Sequence, residues 1–149
     1  MVNFFLKASV VALMGIGASA MAAVEPFSCP TELVGVDQQA RQAPAGWQAA
    51  VEGPGESRHH LNGFTINLGP VSKSDGAIYD DVTEKKDARG HVTSTLVWQV
   101  KPLQDAYAVC SYYRTSVVLT RPLTGYTECK AVSRRTRDTQ FRLEEASCR

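Results

Sequence analysis

The sequence lacks three features that would each indicate a familiar class of function. It has no excess of charge, since 16 Lys and Arg residues stand against 15 Asp and Glu residues, whereas a nucleic-acid-binding protein normally presents a strongly basic face. Its apolar run from Ala8 to Ile16 is shorter than the ~20 residues of a bilayer-spanning helix. It has no Gly-x-Ser-x-Gly, His-Glu-x-x-His or Gly-rich phosphate loop. We therefore predict no nucleic-acid partner, no membrane span and no enzymatic activity.

The first 23 residues have the order of segments that is typical of a secretory signal peptide. Lys7 precedes the apolar run, and small residues in Ala-x-Ala order follow it, which favours cleavage after Ala20 or Ala23. We predict a signal peptide at 1–23 and one mature domain at 24–149, because the remaining 149 − 23 = 126 residues fall within the ~100–200 of a single domain. The predicted location is the periplasm.

All four cysteines follow the predicted signal peptide: Cys29, Cys110, Cys129 and Cys148. An even number of cysteines in an exported chain indicates disulfides. A zinc site would need clustered pairs such as Cys-x2-Cys, and a thioredoxin-like site would need Cys-x-x-Cys. Neither spacing occurs, so we predict two disulfides, no metal and no cofactor.

Period-two alternation of apolar residues predicts a mainly β fold. In "HLNGFTINL", Phe64, Ile66 and Leu68 alternate with Thr65 and Asn67, which is the pattern of a half-buried strand. Further strands are predicted at 31–39, in "VTSTLVWQV" at 92–100, and at 107–113, 116–120, 126–133 and 141–146. The predicted fold is one antiparallel sheet-rich domain, as a meander, sandwich or small barrel, and the last four strands are expected to form a meander. The segment 72–90 has no apolar stripe and is predicted as a short helix or a polar loop.

The register of the last predicted hairpin bears on the disulfide pairing. A four-residue loop from Arg137 to Gln140 pairs Thr136 with Phe141 and, by continuation, Cys129 with Cys148. Opposed residues of an antiparallel pair approach the ~5.5 Å Cα separation of a disulfide. In a meander, by contrast, Cys110 and Cys129 would lie two strands and ~9–10 Å apart. The predicted bridges are therefore Cys29–Cys110 and Cys129–Cys148, with a bulge in the last strand because Phe141 and Leu143 differ in parity from Cys148.

The histidines and the acidic cluster are weak candidates for a metal or catalytic site. On a strand, the adjacent His59 and His60 would point to opposite faces and could not chelate one metal together, and the loop "GESRHH" that holds them is predicted to be a solvated connection. Asp80, Asp81 and Glu84 lack the alternating oxygen ligands and the glycine of a calcium loop. Both groups are better interpreted as surface side chains.

The succession "SCP", "APAGW", "HLNGF", "LGP", "LVWQV" and "YAVCSYYRTSVVLTRPL", followed by two more cysteines, resembles a family of uncharacterised secreted proteobacterial proteins. Some members of that family are encoded near type VI secretion clusters. The resemblance spans nearly the whole mature chain, and it implies a periplasmic β-rich domain without an assigned catalytic residue.

The best candidates for a partner-binding site are arginines of the C-terminal part of the chain. Residues 110–149 hold 8 basic and 4 acidic residues, whereas 24–109 hold 7 and 11. The predicted partner-binding residues are Arg134, Arg135 and Arg137 at the tip of the last hairpin, with Arg114 and Tyr113 nearby. Arginine pairs well with carboxylates because its planar donors engage two oxygens together. The alternative interpretation is a solvated turn.

These observations favour a periplasmic binding protein with a protein partner in the cell envelope. We expect an inhibitor or immunity factor against an enzyme that targets the envelope. The alternative is a structural or accessory envelope protein without an inhibitory role. The sequence does not set the oligomeric state.

Overall fold

The computed structural model describes residues 24–36, 44, 45, 48, 58–137 and 139–149. The predicted signal peptide at 1–23 lies outside the described residues. Within them the chain forms ten strands and a short 3-10 turn at Val71–Lys73. The strands are β1 Phe27–Ser28, β2 Glu32–Leu33, β3 His59–Leu68, β4 Gly76–Ala77, β5 Asp81–Lys86, β6 Val92–Gln99, β7 Ala106–Tyr112, β8 Val118–Pro122, β9 Glu128–Arg135 and β10 Arg142–Cys148.

The strands form two antiparallel sheets with a shared core between them. The first sheet has the order β1-β10-β9-β6-β5, and the second has the order β2-β3-β7-β8, with β4 also paired to β3. Inward side chains of both sheets meet in one buried cluster, where the rings of Phe64 and Trp98 pack edge to face with centroids 5.6 Å apart. The prediction of a mainly β, antiparallel, disulfide-stapled fold is confirmed, and the architecture is a sandwich.

The prediction that the last four strands form a meander is wrong. β8 pairs with β7 in the second sheet, but β9 lies in the first sheet between β6 and β10. Between β8 and β9 the chain passes from one sheet to the other, and Leu123 and Tyr126 are buried in this crossing. The two-sheet arrangement is favoured because it covers the apolar face of each sheet with that of the other.

Both predicted disulfides are present. Cys129 and Cys148 lie opposite each other in the β9–β10 ladder, with Cα atoms 4.0 Å apart, and Cys29–Cys110 joins the N-terminal segment to β7. The expected bulge lies between Leu143 and Glu145. Cys110 and Cys129 are not two strands apart in one meander, as predicted, but lie in different sheets.

The hairpin loop is longer than predicted. The ladder has Arg142 opposite Arg134 as its outermost pair, so Thr136 and Phe141 do not pair and the loop covers 136–141. The loop closes through side chains instead, since the Thr139 hydroxyl accepts a hydrogen bond from the backbone N–H of Thr136 at 3.0 Å.

β3 confirms the predicted strand with two differences from the simple alternation. A register shift between Leu61 and Gly63 brings Leu61 and Phe64 to the buried side although their numbers differ in parity. Asn67 is buried rather than exposed because its amide group donates hydrogen bonds to the carbonyl oxygens of Gly69 and Pro70, at 2.9 and 3.2 Å.

Two predictions in the polar segments need correction. The segment 72–90 forms strands rather than a helix or a continuous polar loop, since after the 3-10 turn at Val71–Lys73 it contains β4 and the whole of β5. β5 shows no apolar stripe because it is an edge strand whose six residues are all exposed. The strand predicted at 31–39 is reduced to Glu32–Leu33, and residues 37–39 lie outside the described part of the chain.

Candidate partner-binding surface

One end of the sandwich collects most of the arginines of the described chain. It is formed by the start of β3, the end of β7, the β5–β6 turn and the β9–β10 hairpin tip, because the ladders place Arg135 opposite Val92 and Tyr112 opposite Leu61. We call this surface the basic end. Its arginines are Arg58, Arg89, Arg114, Arg134, Arg135, Arg137 and Arg142.

A wide groove opens between the two sheets at the basic end. Its volume is about 1370 Å³, and its walls come from the starts of β3 and β6, the residue after β7, and the β9–β10 hairpin. Two aromatic side chains in its lining remain accessible, with Tyr113 55% and Phe141 42% exposed. Exposed aromatic side chains beside arginines are characteristic of protein-binding surfaces.

Arg134 belongs to a small charged cluster with the β5–β6 turn. One Asp87 carboxylate oxygen accepts hydrogen bonds from the backbone N–H groups of Arg89 and His91, both at 2.9 Å. The other oxygen lies 2.9 Å from His91 Nδ1 and 3.7 Å from the Arg134 guanidinium. Desolvation is the largest single effect on the Asp87 carboxyl and opposes its ionisation, but the hydrogen bonds from His91 and Arg89 and the electrostatic effect of His91 together outweigh it and lower its pKa. The cluster orients Arg134 at the groove.

The other predicted arginines lie close to the two aromatic side chains. The Arg135 guanidinium stacks over the Phe141 ring at 4.9 Å, and that of Arg114 lies 5.3 Å from the Tyr113 ring centroid. Arg137 is exposed in the hairpin loop. All five residues predicted for partner binding thus lie at one end of the molecule, with Tyr113 and Arg134 in the groove lining itself.

Comparison with protein families assigns the chain to a family. Residues 56–149 match the family described as the type VI secretion system Tli immunity protein. The chain belongs to this family. The match covers β3 to β10 and therefore most of the basic end, whereas β1, β2 and Cys29 precede it. No curated protein and no solved structure matches the chain.

The expected association with type VI secretion is thereby supported, and membership of an immunity family implies a protein partner, the toxin. The described residues contain no helix long and apolar enough to cross a membrane. Nor do they bring together three or more His, Cys, Asp or Glu side chains that could hold a metal ion.

The two adjacent histidines of this Tli family member have different structural roles. His59 is buried, and its Nδ1 lies 2.8 Å from the carbonyl oxygen of Tyr113. Because a carbonyl oxygen only accepts, the Nδ1–H group donates this hydrogen bond and fixes the backbone of Tyr113 at the groove. His60 is exposed, with its Nδ1 3.2 Å from a Glu32 carboxylate oxygen. Adjacent positions in β3 place them on opposite faces as expected, but the prediction of a solvated connection is wrong for His59, which is buried at the start of this strand.

The acidic residues flagged in the sequence contribute to local structure. The Asp80 carboxylate accepts a hydrogen bond of 2.7 Å from the backbone N–H of Gln99, and Asp81 accepts one of 2.8 Å from the N–H of Val82. Glu84 is an exposed residue of β5. These contacts fix the start of β5 without forming a site.

Sequence reasoning missed Phe141 and the groove. Phe141 was assigned to the last strand, where alternation would bury it, but β10 begins one residue later and leaves it partly exposed. The groove depends on which ends of the two sheets coincide, and no local pattern encodes that.

Proposed function

We propose that this immunity protein acts in the periplasm, where it binds a toxin delivered by a type VI secretion system and neutralises it through the basic end. The family assignment supports the immunity role. Two disulfides, each built from buried cysteines, support export because disulfides persist in oxidising compartments.

The observation that carries the choice of surface is the coincidence of charge and accessible aromatic area at the basic end. Arg135 and Arg137 have no carboxylate partner among the described residues, and Arg135 instead lies over the ring of Phe141. Stacking holds the guanidinium in place while its N–H donors stay available, which reduces the entropy lost on binding. Such a surface suits an acidic region of the toxin.

The groove adds shape to this charge. Tyr113 directly follows β7 of the second sheet and Phe141 directly precedes β10 of the first, and each sheet is held by its ladder and by the common core. The two aromatic side chains are therefore presented by a rigid frame, with the backbone of Tyr113 further fixed by His59. A preorganised surface binds more tightly than a mobile one because less order is imposed on binding.

A competition experiment tests the function without prior identification of the toxin. A strain deleted for this gene should be killed by its parent, and only when the type VI secretion system of the parent works. Expression of the wild-type protein in the deleted strain should restore survival. Killing that continues in the presence of correctly exported wild-type protein would contradict the immunity role.

The same assay tests the surface. Arg134→Ser, Arg135→Ser and Arg137→Ser together should leave folding nearly unchanged, since exposed substitutions usually cost no more than ~0.5 kcal/mol each. Toxin affinity should fall at least tenfold, about 1.4 kcal/mol, so that about tenfold more protein is needed for equal survival.

A matched variant removes three exposed positive charges away from the basic end: Lys73→Ser, Lys101→Ser and Lys130→Ser. It should protect like the wild type. Full protection by the arginine variant at limiting expression, with correct folding shown by its melting temperature, would indicate that the hairpin arginines only face solvent and do not bind the toxin. In that case the immunity role would stand and only the surface would be wrong.

A further inference from the structure

β5 is an edge strand with an unusual combination of properties. It is the terminal strand of the first sheet, its pairing with β6 runs without a register shift from Asp81 to Lys86, and all six of its side chains are exposed. Among the residues that the structure describes, no strand pairs with its outer edge. Such an edge is open to pairing with another strand unless charge, proline or a bulge prevents it.

The hydrogen-bonding groups on this outer edge can be assigned from the ladder. The N–H of Asp87 donates to the carbonyl oxygen of His91, and bonded positions alternate along an antiparallel strand. Residues 81, 83 and 85 therefore point their N–H and C=O groups toward β6, whereas Val82, Glu84 and Lys86 point theirs outward. The N–H of Val82 is taken up by the Asp81 side chain, as expected for a group without a backbone partner.

The charges along this edge are ordered. Asp80 and Asp81 lie at its start, and Lys85 and Lys86 lie at its end. An edge that carried one sign of charge would repel a second copy, but this order is complementary to itself when the second strand runs in the opposite direction.

We propose that the protein forms a symmetric dimer through antiparallel pairing of β5 with β5 of a second copy, with Thr83 facing Thr83 at the two-fold axis. In this register Asp81 faces Lys85 of the second copy on each side of the two-fold axis. Val82 and Glu84, whose backbone groups point outward, face each other and exchange hydrogen bonds, for which the Val82 N–H leaves the Asp81 carboxylate. The two first sheets become one continuous sheet of ten strands.

Neighbouring registers are disfavoured because they oppose like charges or lose the Asp81–Lys85 pairs. Pairing centred on Glu84 places two Glu84 carboxylates opposite each other, and pairing centred on Lys85 places two Lys85 ammonium groups opposite each other. Pairing centred on Val82 places Asp81 opposite Thr83 and leaves Lys85 without a facing carboxylate. Like charges directly opposite one another destabilise a strand pair, whereas opposite charges and Thr–Thr pairs stabilise it. The Thr83-centred register avoids every such conflict.

Sedimentation equilibrium of the oxidised protein purified from the periplasm tests this dimer. A pair of six-residue edges makes a small interface of the weak class, so concentrations up to about 0.5 mM are appropriate. Wild-type protein should show a reversible monomer–dimer equilibrium. Lys85→Glu should weaken dimerisation at least tenfold, because Asp81 then faces a carboxylate, and Asp81→Lys should do the same through two facing ammonium groups.

The decisive sample is an equimolar mixture of the two variants. Opposite charges face each other again in the mixed dimer, so the mixture should dimerise within a few-fold of the wild type. The control variant Lys130→Glu reverses a charge at an exposed position of β9, away from the β5 edge, and should dimerise normally. Three results would each overturn the proposal: a wild-type protein that stays monomeric throughout, single variants that dimerise like the wild type, or a mixture that remains monomeric. Matching melting temperatures show that the variants are folded.

Discussion

Removal of the two disulfides should destabilise the protein by different amounts. In the chain-entropy description, a bridge stabilises by restricting the unfolded chain, and the effect grows with the closed loop. The cysteines of Cys29–Cys110 are separated by 81 residues and those of Cys129–Cys148 by 19. The same relation gives about 4.5 and about 3.2 kcal/mol for the two bridges at 25 °C. Loss of Cys29–Cys110 should therefore cost about 1.3 kcal/mol more.

Replacement by alanine keeps the comparison clean. All four cysteines are buried, so each double variant removes two sulfur atoms from a packed environment and the two packing losses nearly cancel in the difference. Serine would instead bury hydroxyl groups without assured partners. The remaining difference reports the effect of loop length on the unfolded chain.

Urea denaturation of Cys29→Ala/Cys110→Ala and Cys129→Ala/Cys148→Ala gives the two free energies of unfolding. Each loss is a large share of the ~5–15 kcal/mol typical of a domain, so both variants should be studied at low temperature. The larger cost should belong to Cys29–Cys110. An equal or larger cost for Cys129–Cys148 would refute the loop-length reasoning and would indicate that the β9–β10 ladder depends on its own bridge.

Two further changes test local features. Gly125→Ala should lower the free energy of unfolding by about 1–2 kcal/mol, because Gly125 has φ +89° and a Cβ there would approach the Val24 side chain. Gly76→Ala is the matched control, since nothing lies within 4 Å of a Cβ at that position. Equal melting temperatures for the two variants would contradict this reasoning. Asp87→Asn should destabilise the protein at neutral pH and progressively less in acid, because a lowered carboxyl pKa stabilises the fold above the ordinary aspartate range and that contribution is lost as the pH falls through the folded pKa. Thermal unfolding between pH 2 and 7 measures the difference, and a constant offset would exclude titration of Asp87 as its cause.

The parts of the fold that the sequence predicted correctly are those encoded by side-chain alternation. β3 and β6 each turn one face toward the core. Apolar residues such as Ile66 in β3 and Trp98 in β6 therefore alternate with polar residues along their strands. The Cys129–Cys148 pairing followed because a hairpin is local and its register can be counted from the turn. β5 was missed for the opposite reason, since a strand with both faces exposed has no alternation to detect.

The candidate surface likewise has one part that could be predicted from the sequence and one part that could not. The arginines of the hairpin were found because 134–137 are neighbours in the sequence. The groove was not, because Tyr113 follows a strand of the second sheet and Phe141 precedes one of the first. Their proximity depends on the crossing between β8 and β9, a long-range feature that neither residue type nor spacing specifies.

The two proposed interactions use different surfaces and are geometrically compatible. β5 leads into the turn at the basic end, so antiparallel pairing of two β5 strands points the two basic ends in opposite directions. Tyr113, Phe141 and the hairpin arginines lie away from the β5 edge, because β6 and β9 stand between β5 and β10 in the first sheet. Dimerisation therefore leaves both grooves open, and a dimer would hold two toxin molecules at its far ends. A variant that abolishes dimerisation, such as Lys85→Glu, should still protect cells from the toxin, whereas the arginine variant should still dimerise. Loss of both properties in either variant would show that the surfaces are coupled or that the variant is misfolded, and its melting temperature separates these cases.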